Sequence, residues 1–167
     1  MNQFGQNRNQ SQHSNRSDYS QNNRQNNQQN NQQNNQRPSI NELVRRIDLR
    51  ALTIATFDKI AKDCAEAIKY NTPTQIRKYY DELLMWHEKI GDNSQKFNDN
   101  LPYIKMMKSK VAYANAKQGD GKQLVNDNFM IIFNAIIDNI DDAKTLNNGK
   151  LFFEAVLGFH KGLAVKN

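Results

Sequence analysis

Cysteine is almost absent from this sequence, since Cys64 is the only one among 167 residues. A single thiol excludes an internal disulfide and a cysteine-based zinc site. Long apolar runs are missing as well, and none approaches the roughly 20 residues that a membrane-spanning helix needs. The N-terminus lacks the apolar segment of a secretory signal. These absences predict a soluble, cytoplasmic protein without a membrane partner.

Apolar residues make up only 37% of the chain, and the deficit is concentrated at the N-terminus. Residues 1–37 contain 12 Asn and 11 Gln, with too little apolar surface to offset the entropy of ordering them. We therefore predict two regions, a disordered Asn/Gln-rich leader over 1–37 and a folded domain over 38–167. The leader is compatible with a solvated tail, a self-associating segment or a weak RNA-binding arm.

The folded part has the apolar periodicity of helices. Ser39 and Glu42 fit a capping box at the start of a short helix. Five longer apolar stripes follow, over residues 57–68, 76–90, 104–114, 125–140 and 152–163. No stretch has the convincing period-two alternation of a strand. The pattern predicts an all-α fold, a compact bundle of about five helices joined by short loops.

Polar, proline and glycine residues predict where these helices begin and end. Thr72 to Gln75 fit a second capping box with a proline at the first helical position, and Gly91 fits a C-terminal stop. Leu101-Pro102 predicts the start of the next helix, and Gly119 to Gly121 its end. Asn147 to Gly149 predict a turn before the last helix.

Enzyme signatures fail one by one. His87 begins a sequence like a zinc-protease motif, but Gly91 stands where the second histidine is needed. Gly119 to Lys122 resemble half of a phosphate-binding loop, without its first glycine or a preceding strand. His87 and Cys64 fall on apolar stripes, which favours core roles. We predict no catalytic site, no metal and no cofactor.

Charge placement is the informative feature. The net charge of +6 divides into +3 on the leader and +3 on the domain. Residues 101–119 contain no acid and four lysines, namely Lys105, Lys108, Lys110 and Lys117. At about 100° per residue, Lys110 and Lys117 flank Tyr113 beside the apolar stripe, whereas Lys105 and Lys108 are expected on the exposed back. Unneutralised lysines around an aromatic ring are typical of a phosphate-backbone contact, although a solvated helix face is the alternative.

The preceding helix offers a weaker basic pair. Arg77 and Lys78 are followed at four residues' distance by Asp81 and Glu82, so local ion pairs are one interpretation. Arg77 lies near the first turn of that helix, where backbone amides also favour anions, so a phosphate contact is the other.

Three segments resemble a known family. "TPTQIRKYYDELL", "LPYIKMMKSKVAYANAK" and "FFEAVLGFHKGL" are similar, in order and spacing, to segments of the small subunit of type III-A CRISPR interference (Csm) complexes. The similarity covers about residues 53 to 164. The resemblance implies a small all-α bundle without catalytic activity, several copies of which stack along the backbone subunits and contact the target RNA paired to the guide RNA. Cleavage then belongs to the backbone and large subunits.

The resemblance also implies RNA-contacting residues. An arginine of the family corresponds to Arg77, and its basic positions correspond to Lys108, Lys110 and Lys117. A lysine at position 117, where the family often has arginine, keeps the charge but loses bidentate geometry. The leader and the Gly119 to Gly121 loop depart from the family pattern. The complete predicted RNA-binding set is Arg77, Lys78, Lys105, Lys108, Lys110, Tyr113 and Lys117.

A second hypothesis is a structural helical adaptor that binds partner proteins and makes no contact with nucleic acid. It predicts that Met106, Trp86 or Tyr79 form a surface patch away from the lysines.

Overall fold

The structure is a computed structural model that describes Met1, residues 38–119 and residues 122–164. Within these residues the fold is all-α, which confirms the predicted fold class. The described part has six α-helices: α1 Ile40–Arg45, α2 Ala61–Ala67, α3 Pro73–Ile90, α4 Ser94–Ala116, α5 Asp127–Asp138 and α6 Ala143–Ala164. A π-helical turn, Thr56–Ile60, leads directly into α2.

One element was not predicted. After α4, strands β1 Gln118–Gly119 and β2 Lys122–Gln123 pair antiparallel, with Gln118 opposite Gln123 and Gly119 opposite Lys122. A two-residue strand is too short to show period-two alternation, so the sequence carried no signal for it.

The chain divides into two units, Met1–Pro38 and Ser39–Asn167, and all six helices belong to the second. The prediction of a disordered leader falls on residues that lie, except for Met1, outside the described part of the chain. It stays a prediction.

Two of the three predicted cap arrangements are confirmed. The Ser39 hydroxyl accepts from the Glu42 amide at 3.3 Å, and the Glu42 carboxylate accepts from the Ser39 amide at 2.8 Å. Gly91 ends α3 with φ of +56°, a left-handed conformation that glycine adopts without a Cβ penalty. At the start of α3, Pro73 is the first residue as predicted, but the Thr72 side chain makes no capping hydrogen bond.

The predicted start of α4 at Leu101-Pro102 is wrong. The helix begins about two turns earlier, at Ser94, where the Asn93 side chain accepts from the Lys96 amide at 2.8 Å. Pro102 lies inside the helix on its exposed side, where water can satisfy the carbonyl that its missing N–H leaves free. Phe97 is buried one heptad before Ile104, and this spacing was the overlooked signal.

The predicted turn at residues 147–149 is also wrong, because α6 runs through it. Asp142 caps this helix by accepting from the Thr145 amide at 2.7 Å. The buried Asn148 donates its side-chain N–H to the Leu49 carbonyl at 2.8 Å. A Cβ at Gly149 would lie 3.2 Å from the side chains of Ile140 and Leu49, so the glycine permits close approach within a helix. Tertiary contacts therefore explain Asn148 and Gly149, two residues that are otherwise typical of turns.

The apolar stripes form one core. Helix α6 packs against α2 and α3, and α4 packs against α5 on one side and α3 on the other. Rings from three helices meet in it, with centroids 5.4 to 6.2 Å apart: Tyr79, Tyr80, Phe129, Phe133 and Phe153. Phe57 and His87 are only partly buried and Phe159 is exposed, so not every residue of the predicted stripes lies in the core.

Candidate nucleic-acid interface

A groove of about 520 Å³ lies between α3 and α4. Its walls are Lys78, Tyr79, Glu82, Ser109, Lys110, Tyr113, Ala114, Lys117 and Leu124. Four of the seven residues predicted to bind RNA lie in this list, namely Lys78, Lys110, Tyr113 and Lys117. The structure thus brings Lys78 of α3 together with the three residues of α4. The sequence had grouped only the residues of α4.

Helical geometry explains which residues of α4 reach the groove. At about 100° per residue, Tyr103, Met106, Lys110, Tyr113 and Lys117 fall within an arc of about 80°. This arc lies beside the buried stripe, on the flank that faces α3. Lys105 and Lys108 fall on the opposite flank, which faces α5. The lysines of one helix are therefore divided between two neighbours.

Tyr113 provides an exposed aromatic surface in the groove, with 67% of the residue accessible. The ammonium of Lys117 lies 5.9 Å from its ring centroid. On the facing helix, Lys78 lies 5.1 Å from the Tyr79 ring and donates to the Gln75 side chain at 3.0 Å. An accessible ring beside ammonium groups can stack a nucleobase and contact its phosphate.

The groove also contains one acid. The Glu82 carboxylate accepts from the Lys110 ammonium at 2.6 Å across the groove. Pairing of Glu82 with Lys78 was one interpretation of the sequence, but the Lys78 ammonium donates to the Gln75 side chain instead. Three lysines and one glutamate leave the groove with a net charge of +2. In the described part of the chain, no carboxylate forms an ion pair with Lys78 or Lys117.

The expected exposure of Lys105 and Lys108 is wrong, because both lie partly buried against the end of α5. Lys105 donates to the backbone carbonyls of Ile137 at 2.7 Å and Asp138 at 3.3 Å. Lys108 donates to the Asp138 carboxylate at 2.6 Å. Burial lowers the pKa of Lys105, against the opposing effect of nearby aspartates. Two cations at a helix C-terminus satisfy free carbonyls and the helix dipole, which is a structural role.

Arg77 lies outside the groove. Its guanidinium donates to Asp81 at 2.8 Å, as the local ion-pair interpretation predicted, and lies 5.2 Å from the Tyr80 ring centroid. The hydrogen bond to Asp81 raises the pKa of Arg77. Burial raises the pKa of Tyr80, which also bonds Glu154 of α6. The described contacts of Arg77 therefore lie within α3.

Sequence reasoning missed the acids that neutralise α4. That helix contains no acid after Leu101, yet Glu82 and Asp138 approach Lys110 and Lys108 from helices on either side. Spacing rules apply within one helix, so they cannot predict ion pairs between residues of different helices. Asp138, Asp141 and Asp142 lie close together in the sequence, but each has a separate partner, respectively Lys108, Arg50 and the Thr145 amide.

A mixed apolar and aromatic surface continues the groove along the same two helices. Trp86 stacks on Tyr103 with ring centroids 6.0 Å apart, and Lys89 lies 4.8 Å from the Trp86 ring. Met106, half exposed, shares the arc of α4 that includes Lys110 and Tyr113. Tyr79 is buried, so it does not join this surface. The patch that the adaptor hypothesis needs is thus contiguous with the lysines and not away from them.

The other reactive side chains lie in the core. Burial raises the pKa of the Cys64 thiol to about 12, in line with its predicted core position. Among the described residues, the His87 Nδ1 and His160 Nε2 atoms are buried without a hydrogen-bond partner, so the core position predicted for His87 leaves one of its ring nitrogens unsatisfied. The described part contains no group of three or more metal-binding side chains. Nor does any helix within it have the length and apolarity to cross a membrane.

Comparison with known proteins identifies the family. The family model for Csm2 type III-A matches residues 51–166. The chain belongs to the Csm2 family. It is therefore a small subunit of a type III-A CRISPR complex, as the three sequence segments indicated. All seven predicted RNA-binding residues lie inside the matched range, whereas α1 lies outside it. No curated protein and no solved structure matches the chain.

Proposed function

We propose that this Csm2-family subunit binds RNA through the groove between α3 and α4, holding the target strand that pairs with the guide RNA. In this proposal several copies stack along the backbone subunits of the complex in the cytoplasm, and the subunit itself catalyses nothing. The observation that carries it is the exposed Tyr113 ring between Lys110 and Lys117 in a groove of net positive charge.

The groove supports phosphate contact and base stacking, and it offers little for base recognition. Its cations are lysines, which contact phosphate as mobile point charges, and its exposed ring stacks on any base. Sequence is then read by the base pairing of the guide. A single copy binds RNA weakly, and several aligned copies on one strand raise the overall affinity through effective concentration.

The proposal narrows the predicted set of seven residues. Lys78, Lys110, Tyr113 and Lys117 would contact RNA. Arg77, Lys105 and Lys108 would stabilise the bundle, because each is engaged by a neighbouring residue or helix end.

Charge reversal in the groove tests the function. The double variant K110E/K117E should reduce RNA retention by the full chain and by the assembled complex. It should also lower the slope of log affinity against log salt by about 0.7 for each lost phosphate contact. The matched control is K62E/K161E, the same charge change at exposed lysines of α2 and α6. Equal losses from both variants would contradict a role for the groove.

The adaptor hypothesis keeps one observation in its favour, the Trp86 and Tyr103 stack with exposed Met106 beside it. Such a surface suits contact with a neighbouring protein. If Y103A/M106A reduces co-purification of the other subunits while K110E/K117E leaves RNA retention intact, the adaptor function replaces the one proposed here.

A further inference from the structure

The Glu82 carboxylate occupies the place where a phosphate would meet Lys110. It lies 2.6 Å from that ammonium, and its side chain is 22% exposed against 47% for Lys110. The carboxylate is thus part of the groove wall and is less exposed than the lysine that it binds. Two helices supply the pair, so it crosses the groove and does not cap either helix.

The second carboxylate that binds a lysine of α4 is different. Asp138 holds Lys108 at the same 2.6 Å, but at the end of α5 and outside the groove, next to the carbonyls that Lys105 caps. The pair of Asp138 and Lys108 therefore holds α5 against α4. The Glu82 pair lies instead in an open groove, where the same hydrogen bond keeps a cation from an incoming ligand.

We propose that Glu82 is a built-in competitor for phosphate, so that the groove between α3 and α4 admits an extended nucleic-acid strand and rejects single phosphate ions. The inference rests on the proposed function and adds how the groove selects its ligand. A lone phosphate must displace a carboxylate held within the same molecule, and it then lies beside that negative charge.

A strand has compensating contacts that an isolated phosphate lacks. One of its bases stacks on Tyr113, and neighbouring phosphates reach Lys117 and Lys78, which have no carboxylate partner among the described residues. Displacement of Glu82 from Lys110 therefore follows binding elsewhere in the groove. The site is selective for a polyanion long enough to span both helices.

The test compares three variants of the full chain, with a mixed-sequence single-stranded RNA and with inorganic phosphate as probes. E82Q removes the competitor, and D81N removes the neighbouring carboxylate, which binds Arg77 outside the groove. E82Q/K110Q removes the competitor together with the lysine that it releases. Filter binding over a salt series gives affinity and slope, and thermal melts check that each variant is folded.

We expect E82Q to bind RNA about two- to fivefold more tightly at low salt, the range that surface ion pairs are worth. Its salt slope should steepen by about 0.7, one added phosphate contact. D81N should change neither quantity appreciably, and E82Q/K110Q should lose the gain. Inorganic phosphate should shift the melting temperature of E82Q more than that of the wild type.

Equal gains from E82Q and D81N would overturn the inference, because a general change of charge would then explain both. A gain that persists in E82Q/K110Q would overturn it as well, as would a wild type that binds RNA and an E82Q variant that binds it no tighter. If neither the wild type nor E82Q binds RNA at any salt concentration, the proposed function fails and the inference fails with it.

Discussion

The side-chain ammonium of Lys105 donates a hydrogen bond to the backbone carbonyl of Ile137, with 2.7 Å between nitrogen and oxygen. Lys105 belongs to α4, and Ile137 lies in the last turn of α5. A lysine in a segment without acids, such as residues 101–119, is typical of a nucleic-acid contact when the sequence is considered alone. In the folded chain it closes the free end of a neighbouring helix.

Lys105→Met should therefore lower the stability of the protein and leave RNA affinity nearly unchanged. Loss of a charged donor at a partly buried helix end should reduce the free energy of unfolding by about 1 kcal/mol. Denaturant unfolding and filter binding measure the two effects. Lys117→Met is the matched control, with the opposite expectation of unchanged stability and weaker RNA binding. The same result for both lysines would contradict the division of roles between the flanks of α4.

Tyr113→Ala should weaken RNA binding by the full chain, and Tyr113→Phe should retain it. A stacked base is worth about 1–3 kcal/mol by alanine substitution, and the ring rather than the hydroxyl supplies it. The control is Tyr70→Ala, because Tyr70 is also exposed and has Lys69 5.1 Å from its ring, but lies outside the groove. Titration with single-stranded RNA at fixed salt gives the affinities. An equal loss for Tyr70→Ala would show that the groove has no special role.

Stability should fall as the pH drops below about 6.5. His160 is 1% exposed, and burial lowers its pKa below 6.5, partly offset by hydrogen bonds with the backbone at Ile68 and Asn71. The unfolded chain then binds the proton more readily than the folded chain. The stability that the neutral, buried His160 contributes is therefore complete above pH 6.5 and is lost as the pH falls toward the pKa of the folded state. Thermal melts between about pH 7.5 and 5 measure it. His160→Asn should flatten that part of the profile, and an unchanged pH dependence would rule out this histidine as its source.

Two glycines should respond to alanine in opposite directions. Gly91 has φ of +56° and ψ of −139°, a conformation that costs an alanine about 1–3 kcal/mol, so Gly91→Ala should destabilise the protein by about that amount. Gly158 lies within α6, and a Cβ there meets nothing within 4 Å, so Gly158→Ala should stabilise by up to about 1 kcal/mol. Denaturant midpoints of both variants decide. Destabilisation by both would mean that conformation alone does not govern the effect at Gly158.

Some elements of the fold follow from local rules and were predictable. The capping box at Ser39 and the stop at Gly91 depend on neighbours within a few residues, and both form as expected. The start of α4 was missed because Pro102 outweighed the buried Phe97, although a proline on an exposed helix side is tolerated. The turn at Gly149 was predicted wrongly because the glycine is there to allow close approach of Leu49, which is distant in sequence, and not to form a turn.

The sequence by itself determined the all-α class, the inward stripes, the core position of Cys64 and the family, because periodicity and short motifs are written along one helix at a time. It also placed Lys110 and Lys117 on either side of Tyr113. Only the tertiary structure decided which lysines face a groove and which cap a helix. Charge pairing between helices depends on which helix lies beside which, so Glu82 and Asp138 reach the lysines of α4 across gaps of 28 and 30 residues that no local pattern spans.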